Sequence, residues 1–228
     1  MNKSIVVIIP AFNEENAVDK VIADLPADVT EIIVVDNNST DDTSKNAEAA
    51  GATVLHEKIK GYGNACLKGI AYLKQKETKP YIVVFIDADY SDYPAQLPLL
   101  TKPILENDMD MVIGSRTLGK KEKGSLTPQQ IFGTWLATKL LRLFYKTTYT
   151  DLGPFRAIKY SSLVKLNMQD KTYGWTVEMQ LKAAKQKMKT CEVAVDYKKR
   201  IGFSKISGTV KGTIMAGCKI ITTIFKYL

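Results

Sequence analysis

One stretch limits the possible folds of this chain more than any other: an apolar run that ends in three carboxylates. Residues 81–86 are all apolar or aromatic and rich in β-branched types, which predicts a strand buried on both faces. Asp87, Asp89 and Asp92 follow at once, before Tyr93-Pro94 ends the run. Carboxylates at the carboxyl end of a central strand suit a hard divalent cation that also holds phosphate oxygens. The alternative is a solvated acidic turn whose Asp residues cap the following helix.

Two earlier runs have the same form. Residues 5–9 and 31–36 form such runs, the second being apolar from Ile32 to Val35. Both predict buried strands, and each is followed by polar residues and then by an amphipathic or capped helix. A further strand is predicted at 109–115. Because strands alternate with helices, the sequence predicts an α/β fold with a doubly wound, mostly parallel sheet flanked by helices.

In such a sheet the polar residues that follow each strand meet at one edge. The segments expected to line this crevice are 10–14, 36–39, 87–92 and 115–116. Carboxylates there can accept hydrogen bonds from a base or from ribose hydroxyls, while a cation and Arg116 neutralise a diphosphate. We therefore expect a ligand with the shape of a nucleotide.

Two other features near this crevice are less specific. Lys60-Gly-Tyr-Gly63 is neither a dinucleotide fingerprint nor a P-loop, because it lacks the third glycine of the first and the Gly-Lys-Ser/Thr of the second. Such a loop can approach phosphates closely, or it is an ordinary turn before a helix. His56, the single histidine, is predicted to be structural and to lie away from every polar cluster.

Charge and cysteine content restrict the partners and the compartment. The formal net charge of +8 calls for an anionic partner, which is a nucleic acid, a phosphorylated substrate or an anionic lipid surface. Three scattered cysteines argue against a disulfide framework or a zinc site and for a reducing compartment. We expect no signal peptide and no spanning helix, since no apolar run reaches ~18 residues. These features predict a cytoplasmic protein.

The C-terminal half carries two basic amphipathic segments. Residues 131–146 and 211–228 each place basic residues on one side and apolar residues on another; the basic residues are Lys139, Arg142 and Lys146 in the first and Lys211, Lys219 and Lys226 in the second. Both match helices that lie in a membrane interface. Alternatively, their apolar sides pack on the sheet or in a dimer. Between them we expect a strand or extended segment at 149–158, a helix at 177–187 and an edge strand at 190–197.

Several motifs in this order resemble the family 2 glycosyltransferases with the GT-A fold. They are Pro10-Ala-Phe-Asn-Glu14, Val35-Asp-Asn-Asn-Ser-Thr-Asp41 and the DXD motif Asp87-Ala-Asp89. Downstream motifs resemble, more narrowly, the dolichol/polyprenyl-phosphate mannosyl- or glucosyltransferases: Gly114-Ser-Arg116, Phe155-Arg156, Gly174-Trp-Thr-Val-Glu178 and Arg200-Ile-Gly-Phe-Ser-Lys205. The resemblance covers nearly the whole chain. It implies a GT-A domain at 1–205, with a nucleotide-sugar half (1–118) and an acceptor half (119–205), followed by a C-terminal amphipathic helix at 206–228.

The resemblance also implies roles for individual residues. The nucleoside would be held by Pro10, Phe12, Glu14, Val35, Asp36 and Asn37, with Lys60 and Ala88 also in the donor-binding set. Asp87 and Asp89 would hold Mg²⁺ or Mn²⁺ and the diphosphate, with Ser91 placed to complete the coordination. Phosphates would be contacted by Arg116, Arg200 and Lys205. The spacing from Arg200 to Lys205 is one residue shorter than usual, which leaves Lys199 as an alternative for the arginine.

The leading hypothesis is an inverting, metal-dependent transfer of a hexose from a UDP-glucose or GDP-mannose type donor to a polyprenyl or dolichyl phosphate, at the inner face of the membrane. A phosphate acceptor is already an anion and needs no strong base. A hydroxyl acceptor would need one, and Asp151 and Glu178 are the candidates. Arg200 and Arg156 would hold the acceptor phosphate. For Glu178 and Arg156, a buried salt bridge that shapes the loop is the alternative.

Two other functions are compatible with part of the sequence. One is a GT-A transferase that acts on a saccharide or other hydroxyl in cell-envelope polysaccharide synthesis. The other is a non-catalytic nucleotide or nucleic-acid binding module, which the carboxylate cluster disfavours because carboxylates repel phosphate unless a metal is present. We therefore expect no nucleic-acid partner. A separate membrane-protein partner or a homodimer is compatible with the sequence.

Overall fold

The computed structural model describes residues 3–203 and 210–228, without the side chains of Val210, Lys211 and Thr213. Lys205 and the start of the predicted C-terminal segment lie outside the described residues. The described strands are β1 (Ile5–Ala11), β2 (Val29–Asp36), β3 (Thr53–His56), β4 (Ile82–Phe85), β5 (Met111–Ser115), β6 (Arg156–Lys159) and β7 (Thr190–Ala194). The described helices are α1 (Val18–Ala23), α2 (Thr43–Ala49), α3 (Tyr62–Gln75), α4 (Leu97–Asn107), α5 (Pro128–Tyr145), α6 (Tyr160–Leu166), α7 (Trp175–Lys185) and α8 (Val210–Lys226).

The seven strands form one sheet in the order β3-β2-β1-β4-β6-β5-β7. Every pair of neighbours is parallel except the two that involve β6, which runs antiparallel to β4 and β5. The reversal follows from α5, which packs on α7 and α8 and does not carry the chain back across the sheet. The chain therefore re-enters the sheet at the edge where β5 ended. The predicted α/β fold is confirmed, and the predicted edge strand near residue 190 is β7.

The apolar runs form strands because both faces of the sheet are covered. All seven residues of β1 and all four of β4 are buried, and successive side chains point into opposite layers. Ile8 and Phe85 face the layer that contains α3 and α7, whereas Ile9 and Val84 face the layer that contains α1 and α4. The continuous apolar runs therefore reflect burial on both sides, as the sequence predicted.

The helix α8 is packed on one side only. Ile224 is fully buried against the core, and the Tyr145 hydroxyl donates a hydrogen bond to the Ile224 carbonyl oxygen. On the other side, Ile214, Phe225 and Leu228 are 60%, 49% and 61% exposed. Within the described residues, no helix is both long and apolar enough to cross a bilayer.

Candidate active site

A cleft of about 280 Å³ lies at the carboxyl ends of β1, β2 and β4. We call it the donor cleft. It brings together many of the residues predicted to hold the donor: Pro10, Phe12, Glu14, Asn37, Lys60, Asp87, Ala88, Asp89 and Arg200. Val35 and Asp36 are buried at the end of β2 beside it. The sheet edge thus assembles residues that are up to 190 positions apart, since Pro10 and Arg200 both line the cleft.

The two carboxylates of the DXD motif differ in their partners. Asp89 Oδ1 accepts hydrogen bonds from the backbone N–H of Ser91 at 3.0 Å and from the Ser91 hydroxyl at 2.5 Å. Asp87 Oδ1 is buried and has no hydrogen-bond partner among the described residues. Burial, together with the charge of Asp89, raises the pKa of Asp87 to about 7. The loop therefore holds Asp89 through hydrogen bonds from Ser91, whereas Asp87 presents an oxygen without a hydrogen-bond partner among the described residues.

Asp92 lies deeper than either of them. Its side chain is buried, and neither carboxylate oxygen has a partner in the described part of the chain. Burial, reinforced by the charge of Asp87, raises the pKa of Asp92 well above its usual range. The third acid after β4 is therefore buried outside the lining of both clefts and does not form a solvated turn.

Two arginines bring positive charge to these acids. Arg116 forms a two-point ion pair with Asp151, with Nε to Oδ2 at 2.8 Å and a terminal nitrogen to Oδ1 at 2.7 Å. Burial alone raises the pKa of Asp151, but the charge and hydrogen bonds of Arg116 outweigh it and leave that pKa lowered. Arg200 lies 2.6 Å from Glu14 Oε1 and 3.1 Å from Asp89 Oδ2. Asp151 is thus a fixed anion that orients Arg116.

The nucleoside end of the cleft is shaped by β2 and β3. The amide of Asn37 donates to the carbonyl oxygens of Glu57 and Ile59 and accepts from the N–H of Gly61, so it fixes the loop before α3. Asp36 accepts a hydrogen bond from the Ser39 N–H at 3.0 Å, and its other oxygen lies 3.3 Å from His56 Nδ1.

The prediction that His56 lies away from every polar cluster is wrong. The parallel register of β2 and β3 places His56 directly opposite Asp36. Burial raises the pKa of Asp36, but hydrogen bonds from Ser39, Ser44 and His56 leave it lowered overall. The histidine therefore helps to hold a predicted donor-binding carboxylate in its ionised form.

The glycines of the Lys60 loop are required by the protein's own backbone. A Cβ atom at Gly61 would lie 2.2 Å from the Lys171 carbonyl oxygen, and one at Gly63 would lie 2.0 Å from that of Asp170. Gly61 also has a φ of +145°, a conformation that favours glycine. The Lys60 ammonium lies 4.6 Å from the centre of the Phe12 ring in the donor cleft. The glycine pattern thus reflects close packing, and Lys60 is the member of this loop that carries charge to the site.

A second cleft of about 620 Å³ joins the first. We call it the acceptor cleft. It shares Tyr62, Asp87, Asp89, Tyr173 and Arg200 with the donor cleft. Its other walls include Arg116 and Lys199, the first turn of α5 at Thr127 and Gln130, and Ala216 and Ile220 of α8. Neither tyrosine was predicted as a site residue: Tyr62 stands in the Lys60-Gly-Tyr-Gly63 loop, of which only the lysine and the glycines were considered, and Tyr173 precedes the Gly174 motif without belonging to it.

Glu178 and Arg156 lie outside the lining of both clefts. The Glu178 carboxylate contacts the Lys182 ammonium at 2.7 Å and accepts hydrogen bonds from the Tyr227 hydroxyl and from the N–H groups of Gln169 and Asp170. Arg156 is fully buried and donates to backbone carbonyl oxygens, among them that of Thr176 at 2.9 Å. Each holds its own stretch of backbone, which favours the structural alternative, although the two side chains do not pair with each other.

Comparison with known proteins agrees with the motifs. The model of glycosyl transferase family 2 matches residues 6–166. An uncharacterized glycosyltransferase of Mycobacterium tuberculosis is 34% identical over 215 residues, which are 93% of this chain and 94% of the relative. An undecaprenyl-phosphate mannosyltransferase of Micrococcus luteus is 29% identical over 222 residues, covering 91% of this chain and 89% of the relative.

Solved structures agree on the fold. Glucosyl-3-phosphoglycerate synthase from Mycobacterium tuberculosis, crystallised with Mn²⁺, UDP and glucosyl-3-phosphoglycerate, matches with a TM-score of 0.77 and 23% identity, covering 99% of this chain and 80% of that one. The family and the fold that the motifs predicted are confirmed. This chain belongs to glycosyltransferase family 2, is a glycosyltransferase, and has the GT-A fold.

Proposed function

We propose that this glycosyltransferase moves a hexose from a nucleotide diphosphate sugar to a polyprenyl phosphate at the inner face of the membrane, with inversion at the anomeric carbon. The observation that carries the proposal is the meeting of the donor and acceptor clefts at Asp87, Asp89 and Arg200. A sugar held at that junction is accessible to a nucleophile from the second cleft while its diphosphate remains in the first. Such positioning is a large part of catalysis in group transfer.

The donor cleft suits Mg²⁺ or Mn²⁺. The DXD motif supplies carboxylate oxygens, which are the ligands these hard cations prefer, and Asp87 Oδ1 is buried without a partner in the described residues. No group of three or more His, Cys, Asp or Glu side chains in that part of the chain forms a ligand cluster. Two carboxylates completed by diphosphate oxygens and water are the usual arrangement for these cations. Asp87 and Asp89 would hold the cation, with Ser91 beside them.

The chain's own residues then account for the chemistry. The bound cation would offset the charge that develops on the leaving diphosphate. Arg116, held by Asp151, and Arg200 supply charge-assisted hydrogen bonds to phosphate oxygens at the junction. Of the two candidate bases, Asp151 is engaged by Arg116 and Glu178 by Lys182. A phosphate acceptor, which needs no base, agrees with this arrangement.

The walls of the acceptor cleft support a lipid phosphate. Arg116, Lys199 and Arg200 supply positive charge on one side, and α5 and α8 form the other. Beyond the cleft these two helices carry exposed apolar residues, including Phe132, Trp135 and Ile214, at 61%, 53% and 60% exposure. Basic side chains in the cleft, together with exposed apolar side chains on the helices that wall it, suit peripheral binding to an anionic membrane. The relative named as an undecaprenyl-phosphate mannosyltransferase supports the same acceptor class.

Transfer of radiolabelled hexose tests the proposal. The protein would be incubated with Mn²⁺ and UDP-glucose or GDP-mannose in liposomes that contain undecaprenyl phosphate, with Asp89→Ala as the inactive control. We expect label in the lipid fraction. Parallel reactions with 3-phosphoglycerate and with an oligosaccharide acceptor test a hydroxyl acceptor. Label in either of these and none in lipid would overturn the proposed acceptor, whereas equal transfer by Asp89→Ala would overturn the role of the DXD motif.

A further inference from the structure

The guanidinium of Arg200 is placed on the one oxygen of Asp89 that the loop leaves available. Both hydrogen bonds from Ser91 are to Asp89 Oδ1, at 3.0 and 2.5 Å. Asp89 Oδ2 instead lies 3.1 Å from a terminal nitrogen of Arg200, and the other terminal nitrogen lies 2.6 Å from Glu14 Oε1. Arg200 therefore bridges two carboxylates of the donor cleft, one that follows β1 and one that follows β4.

The backbone that carries Arg200 is fixed on either side of it. The N–H of Lys198 donates to the Ser91 carbonyl oxygen at 2.9 Å, and the N–H of Ile201 donates to the Asp89 carbonyl oxygen at 3.0 Å. The Lys198 ammonium also lies over the rings of Tyr90 and Tyr93. Because this segment is attached to the DXD loop, the movable part of Arg200 is its side chain.

A divalent cation and this guanidinium compete for the same oxygen. A cation that binds Asp89 through Oδ2 would lie within a few ångströms of Arg200, and the two positive charges repel each other. The present position of Arg200 is also unfavourable for one of its donors, since its buried Nε has no hydrogen-bond partner among the described residues. An unpartnered buried donor is costly, and a phosphate oxygen would satisfy it.

We propose that Arg200 is an exchangeable counterion: it neutralises Asp89 until a divalent cation takes that oxygen, and its guanidinium then turns to the donor diphosphate. This inference rests on the proposed donor site. Its consequence is that the cation alone binds weakly, because it must displace Arg200, and that the nucleotide diphosphate strengthens cation binding by giving the displaced guanidinium a new partner.

The test compares binding of Mn²⁺ alone with binding of UDP, by measuring free Mn²⁺ with electron paramagnetic resonance and UDP binding with calorimetry at saturating Mn²⁺. For Arg200→Gln we expect Mn²⁺ alone to bind about five- to twentyfold more tightly and UDP to bind about tenfold more weakly. The exchange predicts opposite changes in the two affinities, tighter for Mn²⁺ alone and weaker for UDP. A residue that only contacts phosphate would not change the affinity for Mn²⁺ alone. Circular dichroism confirms folding, and Arg200→Lys, which keeps the charge but not the two-carboxylate bridge, should fall between the parent and Arg200→Gln.

Lys199→Gln is the matched control, since it removes one positive charge from the adjacent wall of the acceptor cleft. We expect its affinity for Mn²⁺ alone to change less than about twofold, because a more distant charge is better screened. Equal tightening in both variants would indicate a general charge effect and overturn the exchange, as would unchanged or weaker Mn²⁺ binding by Arg200→Gln. If the parent protein binds no Mn²⁺ even with UDP present, the proposed donor site itself is wrong.

Discussion

The donor and acceptor sides of this site differ in how their charged side chains are paired. On the donor side, Asp87 keeps a buried oxygen without a partner in the described structure, and Asp89 Oδ2 is paired there with Arg200, a side chain that can move. On the acceptor side, Arg116 and Asp151 form a buried two-point pair. The comparison indicates that the donor side is prepared to gain a cation, whereas the acceptor side is already assembled. The predictions below test this difference.

The largest effect is expected from Asp89→Ala, which removes a proposed cation ligand. We expect transfer to fall by at least about 10²–10³-fold, because charge stabilisation at the leaving group is lost. The measurement is the rate of hexose transfer at saturating Mn²⁺. Asp108→Ala is the control, since it removes an acid that is paired with Lys159 and Lys189 at the far end of β5. Comparable losses in both variants would contradict a specific role for the donor side.

A smaller but still large effect is expected on stability from Asp151→Ala. This change leaves the guanidinium of Arg116 buried and unpaired, at a cost of about 3 kcal/mol in the free energy of unfolding. For a chain of 228 residues this lowers the melting temperature by roughly 6–12 °C. Thermal unfolding followed by circular dichroism measures it. A change below about 2 °C would mean that the acceptor side is not preassembled.

The exposed apolar residues of α5 provide a second way to distinguish the two sides. We expect them to affect binding of the protein to a membrane, which the acceptor side requires, and not binding of the nucleotide on the donor side. Replacing both Phe132 and Trp135 with Ser removes two half-exposed aromatic side chains and should weaken binding to anionic liposomes about thirtyfold. UDP binding should not change. Co-sedimentation measures the first and calorimetry the second. Val164→Ser, which alters a similarly exposed apolar residue on α6, should have no effect on either.

The smallest effect concerns pH on the donor side. Because the pKa of Asp87 is raised to about 7, a proton competes with the cation, and affinity for Mn²⁺ should rise about tenfold from about pH 6 to about pH 8. Without metal, the sign for stability is opposite: protonated Asp87 favours the folded state, and this contribution is lost as the pH rises from about 4 to about 7. Titrations with Mn²⁺ at several pH values test the first statement. An affinity independent of pH would contradict the raised pKa.

The donor side was largely predictable from the sequence because it is built from strand ends. The apolar run before Asp87 identified β4, and the rule that parallel strands end at one edge brought Glu14, Asn37 and Asp87 together without further information. The position of His56 was not obtained, because it depends on the register between β2 and β3, which no local pattern specifies.

The acceptor side was less predictable because it depends on loops and on packing between helices. Nothing local to Asp151 indicates that its partner is Arg116, which lies 35 positions earlier. Glu178 looked like a candidate base in its motif, yet the structure directs it to Lys182 and to the backbone before α7. In both cases the fold determines which side chain is the partner. The sequence identified an acidic residue but not the group with which it pairs.

The antiparallel course of β6 also has a practical consequence. The chain leaves β5 and enters β6 on the same rim of the sheet, and the two clefts lie at that rim. The opposite rim holds the beginnings of β4 and β5 and the surface ion pairs of Asp108 with Lys159 and Lys189. A fluorescent reporter or an immobilisation tag inserted near Asp108 would therefore sit a full strand length from the two clefts, on the opposite rim of the sheet from the proposed donor and acceptor sites.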